Sequence, residues 1–129
     1  MICLDSHALP WWTLYEDKLS AQATQICRQL AIEPGYASTI SIWELGWKIR
    51  TRRLDIGMSI EKFVSLVKIS AQVKFVPLDE AIWLGSLSLD WSHRDPADRA
   101  IVATARELGV PLLTIDGIIH EFMGADAIW

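Results

Sequence analysis

The sequence predicts an α/β domain on a mostly parallel sheet covered by helices on both faces. Short apolar runs alternate with segments of helical periodicity. The runs are apolar throughout, not at every second residue, as expected of strands buried on both faces. Strand–helix alternation is the mark of crossover connections between parallel strands. At 129 residues the chain reads as a single domain over residues 1–129.

The elements follow in order. Residues 1–4 are an apolar run ended by Asp5-Ser6-His7, read as a first buried strand. Residues 8–12 begin a helical turn. Residues 16–32 carry Leu19, Ala23, Ile26, Cys27 and Leu30 at helical spacing, and Glu33-Pro34-Gly35 stops that helix. Residues 36–37 read as a second short strand. A helix over 40–51 leads to a turn near Asp55–Gly57, and another helix covers 60–71. Residues 74–76 form a strand stopped by Pro77, and 79–89 a helix. The helix over 96–108 has Gly109 as its cap with Pro111 just beyond. Residues 111–115 form a buried strand and 118–123 a final short helix.

Composition excludes several classes. Apolar residues make up 51% and charged residues 22%, a balance that buries a core and excludes disorder. Cys3 and Cys27 are too few for a disulfide framework or a zinc site and read as buried thiols. No apolar run approaches the ~18 residues of a membrane span. The N-terminus lacks a basic region before its apolar stretch, so it does not read as a signal peptide. The expectation is a soluble cytoplasmic protein. The net charge of −4 does not suggest phosphate binding by bulk attraction, but acids that hold cations also make a chain acidic.

Four acids should meet. Asp5 follows the first strand and Asp116 the strand at 111–115, so both lie at carboxyl ends of strands, where open α/β sheets bind ligands. Glu44 lies in the first turn of the helix leaving the second strand. Asp98 lies in the first turn of the helix at 96–108, whose return beside the following strand should bring it to face Asp116. Ordinary helix-start chemistry also accounts for some of these acids singly. Ser41-Ile42-Trp43-Glu44 fits a capping box, and Asp95-Pro96-Ala97-Asp98 fits an N-cap with Pro at the first helical position. Together, clustered half-buried carboxylates repel one another unless a cation or proton joins them. All-oxygen donors favour Mg²⁺ or Mn²⁺, and the matching chemistry is metal-assisted phosphodiester hydrolysis.

Four segments carry a family resemblance: Leu4-Asp5-Ser6-His7-Ala8-Leu9, Ser41-Ile42-Trp43-Glu44-Leu45, the stretch from His93-Arg94-Asp95-Pro96-Ala97-Asp98-Arg99 to Ala105, and Leu113-Thr114-Ile115-Asp116. In this order they resemble the motifs of PIN-domain ribonucleases, and most closely those of VapC-type toxins from bacterial toxin–antitoxin pairs. The resemblance implies a PIN-like three-layer α/β/α sandwich with a central mostly parallel sheet. It implies a Mg²⁺-dependent endoribonuclease, with Mn²⁺ as an alternative ion, that inhibits growth when free of a VapB-like antitoxin. It also implies a homodimer, with DNA reached only through the antitoxin. Its catalytic and metal-holding acids fall on Asp5, Glu44, Asp98 and Asp116. Ser6, Arg94, Asp95, Arg99 and Thr114 are accessory. The family's usual Thr after the first acid is Ser6 here, and Gly117 stands where many PIN nucleases carry a further acid.

Other readings of these residues are a PIN-fold nuclease of RNA maturation and a non-catalytic binding module. Arg94 and Arg99 flank the acids and are expected to contact phosphate. Lys48, Arg50, Arg52 and Arg53 place four cations in six residues, suited either to a solvated helix end or to RNA or an acidic antitoxin tail. Trp11, Trp12, Trp43 and Trp47 read most simply as core. A hydrophobic groove for a partner, with Trp12 contributing to antitoxin binding, is the alternative.

Overall fold

The computed structural model describes residues 1–129. Five strands make one parallel sheet in the order β3-β2-β1-β4-β5: β1 Cys3–Leu4, β2 Gly35–Ser38, β3 Val73–Val76, β4 Leu112–Leu113 and β5 Ala127–Ile128. Seven α-helices connect them: α1 Ala8–Leu14, α2 Ala21–Gln29, α3 Ile40–Arg50, α4 Ile60–Ser70, α5 Glu80–Leu87, α6 Pro96–Leu108 and α7 Gly117–Met123.

Alternation along the strands divides the interior. Ile2 and Leu4 at β1, with Ala37, Val73 and Leu113, join Leu9, Trp12, Ala23, Leu30, Leu45, Phe63 and Val67 in one core. Cys3, Leu112 and Ala127 point the other way, onto Ile101, Val102, Ala105, Ile119 and Met123. One face therefore carries α1–α4 and the other α6 and α7, the expected three layers. Both thiols are buried, and burial pushes Cys3 up to about 12 and Cys27 to about 11. Neither is a nucleophile at neutral pH.

Strand β2 starts on glycine because the strands crowd there. A Cβ on Gly35 would lie 2.8 Å from Leu30 Cδ2 and 2.9 Å from the Ile2 carbonyl oxygen. The backbone carbonyl cannot move without breaking its bond from the Tyr36 amide (2.9 Å).

Several boundaries move, each for a local reason. The helix expected over 16–32 is a 3-10 turn at Glu16–Lys18, an extended Leu19, and then α2, because Ser20 caps the helix by accepting from the Ala23 amide. The first helix runs two residues further than expected, to Leu14. The strand expected over 111–115 pairs only at Leu112–Leu113, since Thr114 onward turns into α7. Strand β5 was not expected. It is two apolar residues, too short to show a period, and the Thr114 amide bonds to the Ile128 carbonyl at 3.0 Å. The capping box on α3 is also absent. Thr39 is the N-cap without a side-chain bond, the helix starts at Ile40, and Ser41 is fully buried inside it.

Candidate active site

With every strand parallel, the residues after β1, β2 and β4 share one edge. Asp5 follows β1 directly, and its amide bonds back to the Leu113 carbonyl of β4. Only 4% exposed, it has both carboxylate oxygens engaged. Oδ1 accepts from the Ser6 amide at 2.7 Å, and Oδ2 from the Thr114 hydroxyl at 2.6 Å. Thr114, also buried, accepts from the Asp116 amide at 3.0 Å, so one side chain ties the first and last acid motifs together.

The opposite side of the edge is built by α3. Ser6 Oγ lies 2.6 Å from Glu44 Oε1 and 2.9 Å from Ser41 Oγ. A hydroxyl has one hydrogen, so Ser6 donates to the carboxylate and accepts from Ser41. Ser41 thus serves the site and not a helix cap. The sequence hides this, because the capping pattern and a buried serine one turn into a helix look alike.

Helix α6 supplies the remaining acids. Its start follows expectation: Asp95 is the N-cap, accepting from the Asp98 amide at 2.9 Å, with Pro96 next and Gly109 closing the far end at φ +66°. This start aims Asp98 inward. Oxygen atoms of Glu44, Asp95 and Asp98 lie within 4.8 Å of one another. Asp95, expected only as an accessory, therefore belongs to the tightest trio. Asp98 is nearest Glu44 and Asp95, and it feels Asp5 and Asp116 through the shared field. Asp116 also caps α7, accepting from the Ile118 and Ile119 amides at 2.8 and 3.2 Å.

Crowding has an electrostatic signature. Burial pushes the Glu44 carboxyl above its usual range. The Ser6 hydrogen bond opposes this, and Asp5, Asp98 and Asp95 add to the rise. Asp98 is likewise raised by burial, against the His93 hydrogen bond, with Asp95, Asp5 and Asp116 repelling it further. Such a group holds its proton more tightly folded than unfolded, so stability falls as pH rises from the unfolded value through the raised folded one. Glu44→Gln keeps an oxygen for the Ser6 hydroxyl and removes the charge. In EDTA at neutral pH it should raise Tm by ~2–5 °C, the size of other active-site relaxations. The gain should vanish below the ordinary carboxyl value, where both side chains are neutral. A scanning-calorimetry melt at each pH checks this, and an unchanged neutral-pH Tm refutes it.

Two histidines border the acids. His93 Nε2 lies 2.7 Å from Asp98 Oδ2. His7 Nε2 accepts from the Ile115 amide at 3.1 Å, while Nδ1 faces Asp5 Oδ2 at 3.5 Å. Burial lowers the His7 pKa against the pull of Asp5 and Asp116, and Lys48 lowers it further. His7 is therefore neutral, packed by Trp11 and Trp129 at 5.0 and 5.9 Å between centroids. Lys48 lies one helical turn beyond Glu44 on α3.

Two expectations are corrected, the phosphate contact of Arg99 and the burial of Trp43 and Trp47. Arg99 does not face a phosphate site, because its guanidinium is spent on backbone carbonyls of Ser86, Leu89, Trp91 and His93. Arg94 is exposed and remains open to solvent. Trp12 is core at 9% exposure, whereas Trp43 and Trp47 are 63% and 45% exposed and stack on each other at 5.7 Å. The tryptophans thus split by helix, with Trp12 of α1 buried and the α3 pair exposed.

A parallel sheet with acids gathered on its carboxyl edge is the architecture of a PIN domain, and residues 2–123 match the PIN-domain family model. The chain belongs to this family, and it is 31% identical over 119 residues to Ribonuclease VapC22 of Mycobacterium tuberculosis (strain ATCC 25618 / H37Rv), covering 89% of this chain and 86% of that protein. Two solved structures have the same fold. One is a toxin–antitoxin complex from Klebsiella pneumoniae (TM-score 0.66, 16% identity, 100% of this chain and 97% of that one). The other is VapBC2 from Rickettsia felis bound to a DNA fragment from their promoter (TM-score 0.67, 14% identity, 99% and 96%). No helix is long and apolar enough to cross a membrane.

Proposed function

We propose that residues 1–129 form one PIN domain acting as a metal-dependent endoribonuclease toxin of a VapBC-type pair, cleaving RNA phosphodiesters when free of its antitoxin. The observation that carries this reading is the convergence of Glu44, Asp95 and Asp98 within 4.8 Å beside the buried Asp5, in a relative of a ribonuclease. The residues fit a hard cation. Every donor is an oxygen, and the trio's crowding is unfavourable without a positive partner. Asp5, Glu44, Asp98 and Asp116 would hold Mg²⁺, with Mn²⁺ as an alternative, and Asp95 stands beside them. When bound, such an ion lowers the pKa of an attacking water and neutralises charge developing on the phosphate.

The chain's own part is orientation. Thr114 and the Ser6 amide hold Asp5, the Ser6 hydroxyl holds Glu44, and His93 holds Asp98. Lys48 offsets the repulsion that an acidic edge presents to RNA. A VapB-like antitoxin and a second copy of the chain are the proposed partners, and the cytoplasm is the proposed compartment. Exposed Trp43, Trp47, Leu84 and Leu87 are apolar surface that the chain's own core leaves uncovered.

Purified, antitoxin-free protein should cleave total RNA in Mg²⁺ or Mn²⁺ and stop in EDTA, with activity restored by excess cation. Cleavage that persists unchanged in EDTA would refute the metal-dependent reading. Absence of cleavage by folded protein under every cation would favour a binding module.

A further inference from the structure

Arg99 follows Asp98 in sequence yet turns into the connection between α5 and α6. Its Nε donates to the Ser86 carbonyl at 3.0 Å and Nη2 to the same oxygen at 2.7 Å. Nη2 also donates to Leu89 at 3.0 Å, and Nη1 to Trp91 at 2.6 Å and His93 at 3.0 Å. A guanidinium has five N–H donors, and all five are used. No carboxylate pairs with this cation; four carbonyl dipoles balance it.

The segment it grips, residues 89–95, has no helix or strand of its own. Backbone carbonyls in such a segment need partners from elsewhere, and Arg99 supplies them. The segment leads to His93. That ring lies 4.8 Å from the Trp91 ring, which stacks on Phe122 at 4.6 Å, and its Nε2 reaches Asp98 at 2.7 Å. Arg99, the segment, His93 and Asp98 therefore form a closed loop that begins and ends on adjacent residues of α6.

We propose that Arg99 is a positioning residue of the acid centre: its fork sets the 89–95 segment so that His93 holds the Asp98 carboxylate in one orientation toward a divalent cation. This rests on the reading of Asp98 as a cation-holding residue. Lysine cannot substitute, because an ammonium has three donors and no planar fork.

Mn²⁺ titration calorimetry on the full chain tests the proposal, with Arg99→Lys, His93→Ala, the double variant and Asp98→Asn compared at a temperature where circular dichroism shows each folded. Arg99→Lys should weaken Mn²⁺ binding by about tenfold or more, the usual loss when a residue supporting a ligand is removed. His93→Ala should lose a similar factor, and the double variant no more than the larger single loss, since both act through one bond to Asp98. In the unaltered, metal-free chain the Arg99 Nε and Nη protons should give separate, slowly exchanging NMR signals. A folded Arg99→Lys with unchanged Mn²⁺ affinity overturns the proposal, as do losses that multiply. A single averaged, fast-exchanging Arg99 signal overturns it without any variant. If Asp98→Asn binds Mn²⁺ as tightly as the unaltered chain, the reading of the site fails and this proposal with it. If Asp98→Asn loses binding while folded Arg99→Lys does not, only the positioning role fails.

Discussion

Asp98→Asn should lower RNA cleavage in Mg²⁺ by at least ~100-fold, more than the loss typical of a group that only supports a metal ligand. That factor corresponds to ~2.7 kcal/mol of transition-state stabilisation. The substitution is close to isosteric and keeps an oxygen to meet His93, so packing is preserved. It removes one charge from a half-buried group already raised by burial and by Asp95, Asp5 and Asp116. Metal-free stability should therefore hold or rise while activity collapses. Cleavage rate and Tm measured on the same preparation separate the outcomes. Retained cleavage removes Asp98 from the proposed centre, and a fall in both reassigns it to a structural role.

Trp12→Ala should destabilise the fold by ~3–5 kcal/mol, the usual range for deleting a buried tryptophan. For a chain of this size that is a fall of roughly 10–20 °C in Tm. Trp12 lies in the core with Leu9, Phe63 and Val67, and only 9% of it is exposed. Trp43→Ala is the control. Its indole is 63% exposed, so truncation should cost within about 0.5 kcal/mol. Urea melts of both variants decide the matter. Equal losses would mean that the stacked pair on α3 is structural, and an unperturbed Trp12→Ala would return that residue to a partner surface.

The fold was legible to a large extent because its signals are local. Helix α6 follows from Asp95, Pro96 and Gly109 alone, since capping and backbone freedom act within a few residues. The alternation of buried strands and amphipathic helices is equally local. Strand β5 was not legible. Two residues carry no periodicity, and pairing with β4 is what makes Ala127–Ile128 a strand. The break before α2 was hidden for a related reason. A helical pattern of apolar residues continued across Leu19, while the Ser20 cap decided where the helix began.

The site was legible as a set of acids but not as a network. Asp5, Glu44, Asp98 and Asp116 reach one edge because parallel strands put all their carboxyl ends on one side. Pattern ranked Asp95 only as an accessory, since its place as N-cap of α6 accounts for it. Nor could it separate Arg94 from Arg99. Both flank the acids in sequence, yet one is exposed and the other has its guanidinium taken up by backbone carbonyls.

By itself, then, the sequence determined the class of fold, the edge at which the acids gather and the residue types available there. These depend on periodicity, caps and the order of elements, which are properties of neighbours along the chain. The tertiary structure alone decided the partners: Ser6 on Glu44, Thr114 on Asp5, His93 on Asp98, Arg99 on the segment before α6, and Trp12 inside while Trp43 stays outside. Each is set by a contact or an orientation across the fold. A hydrogen bond depends on distances of a few ångströms between side chains, and residues as far apart in sequence as Asp5 and Thr114 acquire such distances only when the sheet assembles.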